Sequence, residues 1–176
     1  MEIGRGDSGD KYIYMDNNSL EGKKYASAKA YAAAMHEGQL RAGGEPYITH
    51  PVAVAEYLKN KGYGIDYLIT ALFHDLLEDT AATEGEIEKL GGKEVLSAVK
   101  LLTKIKGQSE EEYVRGIKEN PVAVVVKGAD RLHNLKSAVC RDEAFRRKYV
   151  EESKKYYSDL NSEIPAEIEN LEKTFL

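Results

Sequence analysis

The sequence predicts an all-α protein. Apolar residues recur at helical spacing along nearly the whole chain, Gly and Pro breakers cut it into pieces of helix length, and no alternating apolar–polar pattern recurs that would build a sheet.

The elements follow in order. Residues 1–20 are polar and rich in Gly, Asp and Asn, and read as an arm ahead of a single domain over 21–176. The Arg5-Gly6-Asp7 triplet in that arm is read as a chance match. Leu20 to Leu40 is helical, carried by alanines such as Ala26, Ala28, Ala32 and Ala33. Gly43, Gly44 and Pro46 then impose a loop, and Pro51 suits the first turn of a helix reaching Lys61. After Gly62 and Gly64, a strongly apolar helix is expected from Asp66 to Leu77. Thr83 with Glu86, and Ser109 with Glu112, have capping-box spacing and open short helices to Leu90 and Lys118. Between them, Val95, Val99 and Leu102 mark a further helix ending at Lys104. Val122 to Val126 alone suits a strand, but Val125, Leu132, Leu135 and Val139 continue at helical spacing, so one buried helix is expected over 121–138. Residues 142–160 and 163–174 read as two amphipathic helices.

Composition excludes several classes. With 42% hydrophobic and 31% charged residues in 176, the chain is neither collagen-like, mucin-like nor wholly disordered. No apolar run approaches the ~20 residues of a membrane span. The first residues lack the apolar core of a signal peptide, and one cysteine, Cys140, forms no internal disulfide, so a cytoplasmic setting is expected. A net charge of −5 offers no general basic face for nucleic acid, although a few local cations and a metal still suit a small anion.

The chemistry concentrates in His50, His74, Asp75 and Asp130. An Asp on an apolar helix is costly unless it is paired or bound to a cation. Two imidazoles and two carboxylates without a thiolate suit Mn, Fe, Ni or Zn in a catalytic role rather than a structural zinc. Glu78 and Asp79 follow one turn after His74-Asp75 and are placed to orient or deprotonate an attacking water. Asn134 is four residues after Asp130, on the same face, and Arg41, Lys104, Lys106, Lys127 and Arg131 are candidate phosphate partners. Taken singly, each has a structural alternative: His50 before Pro51 as a helix cap, Asp130-Arg131 as a local ion pair, Glu78-Asp79 as a solvated helix end. The combination favours function.

Four ordered blocks carry a resemblance: HEGQLRAGGEPYITHP at 36–51, ALFHDLLEDT at 71–80, LLTK at 101–104 and KGADRLHN at 127–134. Together they resemble the HD hydrolase domain of the Rel/SpoT family, in the layout of a stand-alone small alarmone hydrolase like the short SpoT homologue of animals. The resemblance implies an all-α HD-domain helical bundle that removes pyrophosphate from the 3′ position of (p)ppGpp with Mn2+ or another divalent transition metal. It implies His50, His74, Asp75 and Asp130 as ligands, Glu78 and Asp79 at the attacking water, Arg41 against the guanine and Asn134 near the ribose. Arg146 and Tyr149 fall, by a looser alignment, near the substrate. Two positions depart from the family pattern: Ala42, where a second basic residue is common, and Gly128, where Leu is common. Ala42 keeps other substrates open, such as NADPH or adenine alarmones. A nucleotide-binding regulator without turnover, and a homodimer, are also left open.

Overall fold

The computed structural model describes residue 16 and residues 18–175, and among these it contains ten α-helices and no strand. The expected arm lies, for residues 1–15 and 17, outside the described residues. In chain order the helices are α1 (Leu20–Met35), α2 (Thr49–Asn60), α3 (Ile65–Phe73), α4 (Leu76–Asp79), α5 (Glu84–Gly91), α6 (Lys93–Leu102), α7 (Glu110–Ile117), α8 (Pro121–Ser137), α9 (Glu143–Tyr156) and α10 (Ile164–Glu172), with a 3-10 turn at Ala138–Cys140.

Helix starts follow the local chemistry. Thr83 Oγ1 accepts from the Glu86 amide at 3.3 Å while Glu86 Oε2 accepts from the Thr83 amide at 3.0 Å, and Ser109 with Glu112 repeats the arrangement. The valine run is helical: Asn120 Oδ1 accepts from the amides of Val122 and Ala123, both at 2.9 Å, and Pro121 occupies the first turn. That cap, together with burial of Ala123 and Val126, outweighs the β preference of valine.

Four expected elements differ. The helix expected from Asp66 to Leu77 is interrupted at His74-Asp75, where Asp75 (φ −102°, ψ −3°) opens the turn between α3 and α4. The first helix stops at Met35 rather than Leu40, because a turn over 36–38 ends on Gly38 at φ 78°. The last two helices are shorter than 142–160 and 163–174, because Tyr157–Leu160 and Asn161–Ile164 form turns.

α3 lies at the centre, packed by α1, α2, α6 and α8, with Leu68 to Phe73 all buried. Each such large apolar side chain contributes about 1.5–3 kcal/mol relative to exposure. A second cluster joins Leu132 and Leu135 of α8 to Val150 of α9 and Ile164, Ile168 and Leu171 of α10. α8 thus belongs to both clusters, which holds Asp130 rigidly beside α2 and α3. No described helix is long and apolar enough to cross a membrane.

Candidate metal centre

Three elements deliver the polar groups to one point. His50 lies in the first turn of α2, His74 and Asp75 at the interruption after α3, and Asp130 in the middle of α8. His50, His74 and Asp130 are 1%, 2% and 4% exposed, and each offers one ligand atom within 4.8 Å of the others. His50 Nε2 is 3.0 Å from Asp130 Oδ1, and His74 Nε2 is 3.6 Å from the same oxygen. Asp75 Oδ2 is 3.0 Å from His74 Nε2 and 4.0 Å from His50 Nε2. Donors each about 2.0–2.2 Å from one ion at near-right or tetrahedral angles stand roughly 3.0–3.5 Å apart. The spacing of His50, His74 and Asp130 suits a cation, and Asp75, 4.0 Å from His50 Nε2, stands at the edge of that group of three.

The side-chain chemistry fits it too. His74 Nδ1 lies 2.7 Å from the Ala71 carbonyl, which can only accept, so Nδ1 carries a proton and Nε2 is the atom turned toward the site. That buried Nε2 has no hydrogen-bond partner: Asp75 Oδ2 is close but out of alignment. Burial opposes charge on His74, yet Asp75 and Asp130 outweigh it and raise His74 well above the usual histidine value. The site draws positive charge to this atom. Burial likewise opposes ionisation of Asp130, but the Lys127 ammonium, 2.9 Å from Oδ2, and the two imidazoles hold it well below the usual carboxylate value.

Several partners were not singled out by the sequence. The Tyr47 hydroxyl donates to Asp75 Oδ2 at 2.6 Å, and burial followed by the Asp75 charge pushes its pKa up, so it keeps its proton. His133 Nδ1 faces His50 Nδ1 at 2.8 Å; burial, then His50 and Arg41, push His133 down to about 4. Buried His36 stacks on Tyr47 with ring centroids 4.7 Å apart, and its Nδ1 is 2.7 Å from Gln39 Oε1. The blocks quoted above contain all three, but nothing in their spacing pairs Tyr47 with Asp75 or His133 with His50.

The other candidates divide by position. Asn134 Nδ2 donates to Asp130 Oδ1 at 2.6 Å, and its Oδ1 accepts from Arg41 Nη2 at 2.9 Å. Arg41, Asn134 and Tyr149 line a cavity of about 770 Å³ with His133, Arg141 and Phe145. On its α9 wall, Phe145 stacks on Tyr149 (5.5 Å, 15°) and the Arg141 guanidinium lies 4.1 Å over Phe145. Glu78 and Asp79 are on α4; Glu78 Oε2 accepts from the Lys104 amide at 3.2 Å. Desolvation, then the charges of Asp75 and Glu78, raise Asp79 above the usual carboxylate value. Lys104 pairs with Glu110, and Lys106 is exposed on the loop after α6. Arg131 is buried between Tyr149 and Tyr157, 4.3 and 3.7 Å from their centroids, and donates to Glu152 at 2.7 Å. It is not among the cavity residues, and neither is Arg146, whose Nε is buried without a partner.

A family model described as an HD domain matches residues 28–164, most of the chain and all four ligand candidates. The chain belongs to the HD domain family. Among curated relatives, this HD domain is 36% identical over 149 residues to the bifunctional (p)ppGpp synthase/hydrolase SpoT of Escherichia coli K12, covering 78% of this chain and 21% of that protein. It is 34% identical over 155 residues to the GTP pyrophosphokinase rsh of Brucella melitensis, covering 82% and 20%. The chain thus spans about a fifth of the length of these relatives. Among solved structures, a metazoan orthologue of SpoT, described as hydrolysing ppGpp, superposes with a TM-score of 0.70 at 26% identity, covering 87% of this chain and 97% of that chain. The resemblance to Rel/SpoT hydrolase domains is borne out.

Proposed function

We propose that this HD domain hydrolyses the 3′-pyrophosphate of (p)ppGpp with Mn2+, releasing GDP or GTP and pyrophosphate. The observation that carries the reading is the convergence of His50, His74 and Asp130, with Asp75 beside His74 and a buried His74 Nε2 that has no hydrogen-bond partner. Proteins named for (p)ppGpp hydrolysis among its relatives supply the substrate class.

Bound there, the cation supplies Lewis acidity for attack on a phosphate ester. The protein's own groups do the rest. Asp79, raised above the usual carboxylate value, takes a proton from the attacking water, and Glu78 beside it steers that water. The water oxygen bonds to the proximal phosphorus, the bond from phosphorus to the ribose 3′ oxygen breaks, and that oxygen takes up a proton. Arg41, held by Asn134, and the Arg141–Phe145–Tyr149 stack give the cavity two faces for a flat base. Lys104 and Lys106 lie on the loop after α6, whose Lys104 amide donates to Glu78, and are assigned to the departing pyrophosphate. Arg131 and Arg146 act behind this surface, Arg131 by bracing Tyr149. The lone cysteine fits a reducing cytoplasm.

The deciding experiment incubates Mn2+-loaded protein with ppGpp and separates products by charge, alongside His74→Ala and Asp75→Ala. Wild type yields GDP and pyrophosphate, and both variants lose metal and turnover; turnover retained in both overturns the reading. Because Ala42 leaves an exposed gap where a cation is common, the panel includes NADPH and ppApp. Preference for either redirects the substrate assignment and leaves the metal centre intact.

A further inference from the structure

The Nδ1 atoms of His50 and His133 face each other at 2.8 Å. Two ring nitrogens at that distance share one proton: with none, their lone pairs repel, and with two, their hydrogens collide. The other nitrogen of His50, Nε2, faces Asp130 Oδ1 at 3.0 Å and Asp75 Oδ2 at 4.0 Å. It offers a lone pair there only when the ring proton is on Nδ1, and that proton then points at His133 Nδ1. If His133 donates instead, the His50 proton moves to Nε2 and occupies the side facing Asp130.

His74 meets the same requirement through the Ala71 carbonyl, an acceptor whatever its surroundings. His50 depends on a side chain. His133 sits three residues after Asp130 on α8 and half-buried in the wall of the 770 Å³ cavity, so its ring adjoins both the ligand set and the space for substrate.

We infer that His133 is a positioning residue for the cation: by accepting from His50 Nδ1 it keeps His50 in the tautomer whose Nε2 is free. Resting on the metal-centre reading above, the inference assigns His50 a partner whose loss weakens the ion without removing a ligand. Partners of this kind set metal affinity by about 10–100-fold.

The test is Mn2+ affinity, read from the electron paramagnetic resonance signal of free Mn2+ in a titration. It compares wild type, His133→Leu, His133→Ala, His133→Asn and His74→Ala, with apo melting temperatures alongside. Leu and Ala cannot accept; Asn carries Oδ1 where Nδ1 stood. Leu and Ala are expected to weaken Mn2+ binding by about 10–100-fold and Asn to restore it to within a few-fold, with apo stability little changed because His133 is half-buried. Leu and Ala binding within about twofold of wild type, or Asn as weak as both, overturns the inference. Wild type that binds no Mn2+ overturns the metal centre itself, whereas binding lost in His74→Ala but untouched in His133→Leu overturns the role of His133 alone.

Discussion

Lys127 Nζ and Asp130 Oδ2 form an ion pair at 2.9 Å inside the bundle, with Lys127 also lying over the Tyr113 and Tyr157 rings. The pair leaves Oδ1 of Asp130 facing His50 and His74. One carboxylate therefore belongs to the core through one oxygen and to the candidate metal centre through the other.

Removing it has two separable effects. Asp130→Ala leaves the Lys127 ammonium buried without its counter-charge, a change that costs about 3–5 kcal/mol. The expected result is a lower melting temperature in apo protein as well as loss of bound Mn2+. The double variant Lys127→Met/Asp130→Ala recovers much of the melting temperature and none of the metal. Recovery of metal content in the double variant contradicts the ligand assignment.

Glu78 and Asp79 form no ion pair with His50 or His74, as Asp75 and Asp130 do, so their loss separates chemistry from binding. Glu78→Gln and Asp79→Asn are expected to keep Mn2+ stoichiometry while turnover falls by about 10²–10⁴-fold. A variant that loses metal along with rate places that carboxylate among the ligands instead.

Two of the helical glycines, Gly116 and Gly128, predict opposite outcomes. A Cβ on Gly116 of α7 meets nothing within 4 Å, so Gly116→Ala gains about 0.8–1 kcal/mol of helix propensity. A Cβ on Gly128 of α8 stands 2.5 Å from the Leu160 carbonyl oxygen, and backbone must move at about 1–3 kcal/mol. Thermal melts should rise for the first and fall for the second. The close approach shows that the turn after α9 rests directly on α8.

Glu110 ties α7 to Lys104 and to the Tyr157 hydroxyl. Burial raises its pKa, but Lys104 and Tyr157 outweigh that and lower it below the usual value. A lowered folded-state pKa adds stability above the unfolded value of about 4.3, lost as pH falls through the folded value. Melting temperature against pH should show Glu110→Gln below wild type at neutrality, with the gap closing below about pH 4.3. A gap constant down to acid pH shows that the ion pair contributes nothing.

Much of the molecule is determined by sequence alone, and the reason is range. Helix periodicity and capping involve residues three or four apart, so Thr83–Glu86, Ser109–Glu112 and the helical reading of Val122–Val126 all follow from local rules. The four ligand candidates are legible in combination, because charged and imidazole groups on or beside apolar helices are costly unless paired or bound to a cation. What tertiary structure decides is which groups meet across long separations: Tyr47 with Asp75, His133 with His50, Lys104 with Glu110, and Arg131 between two tyrosines rather than at a phosphate. The break at Asp75 belongs there as well, since propensity favours a continuous helix through Leu77. Pairings of this kind depend on where α8 crosses α2 and α3, and that crossing is set by the packing of buried side chains drawn from the whole chain.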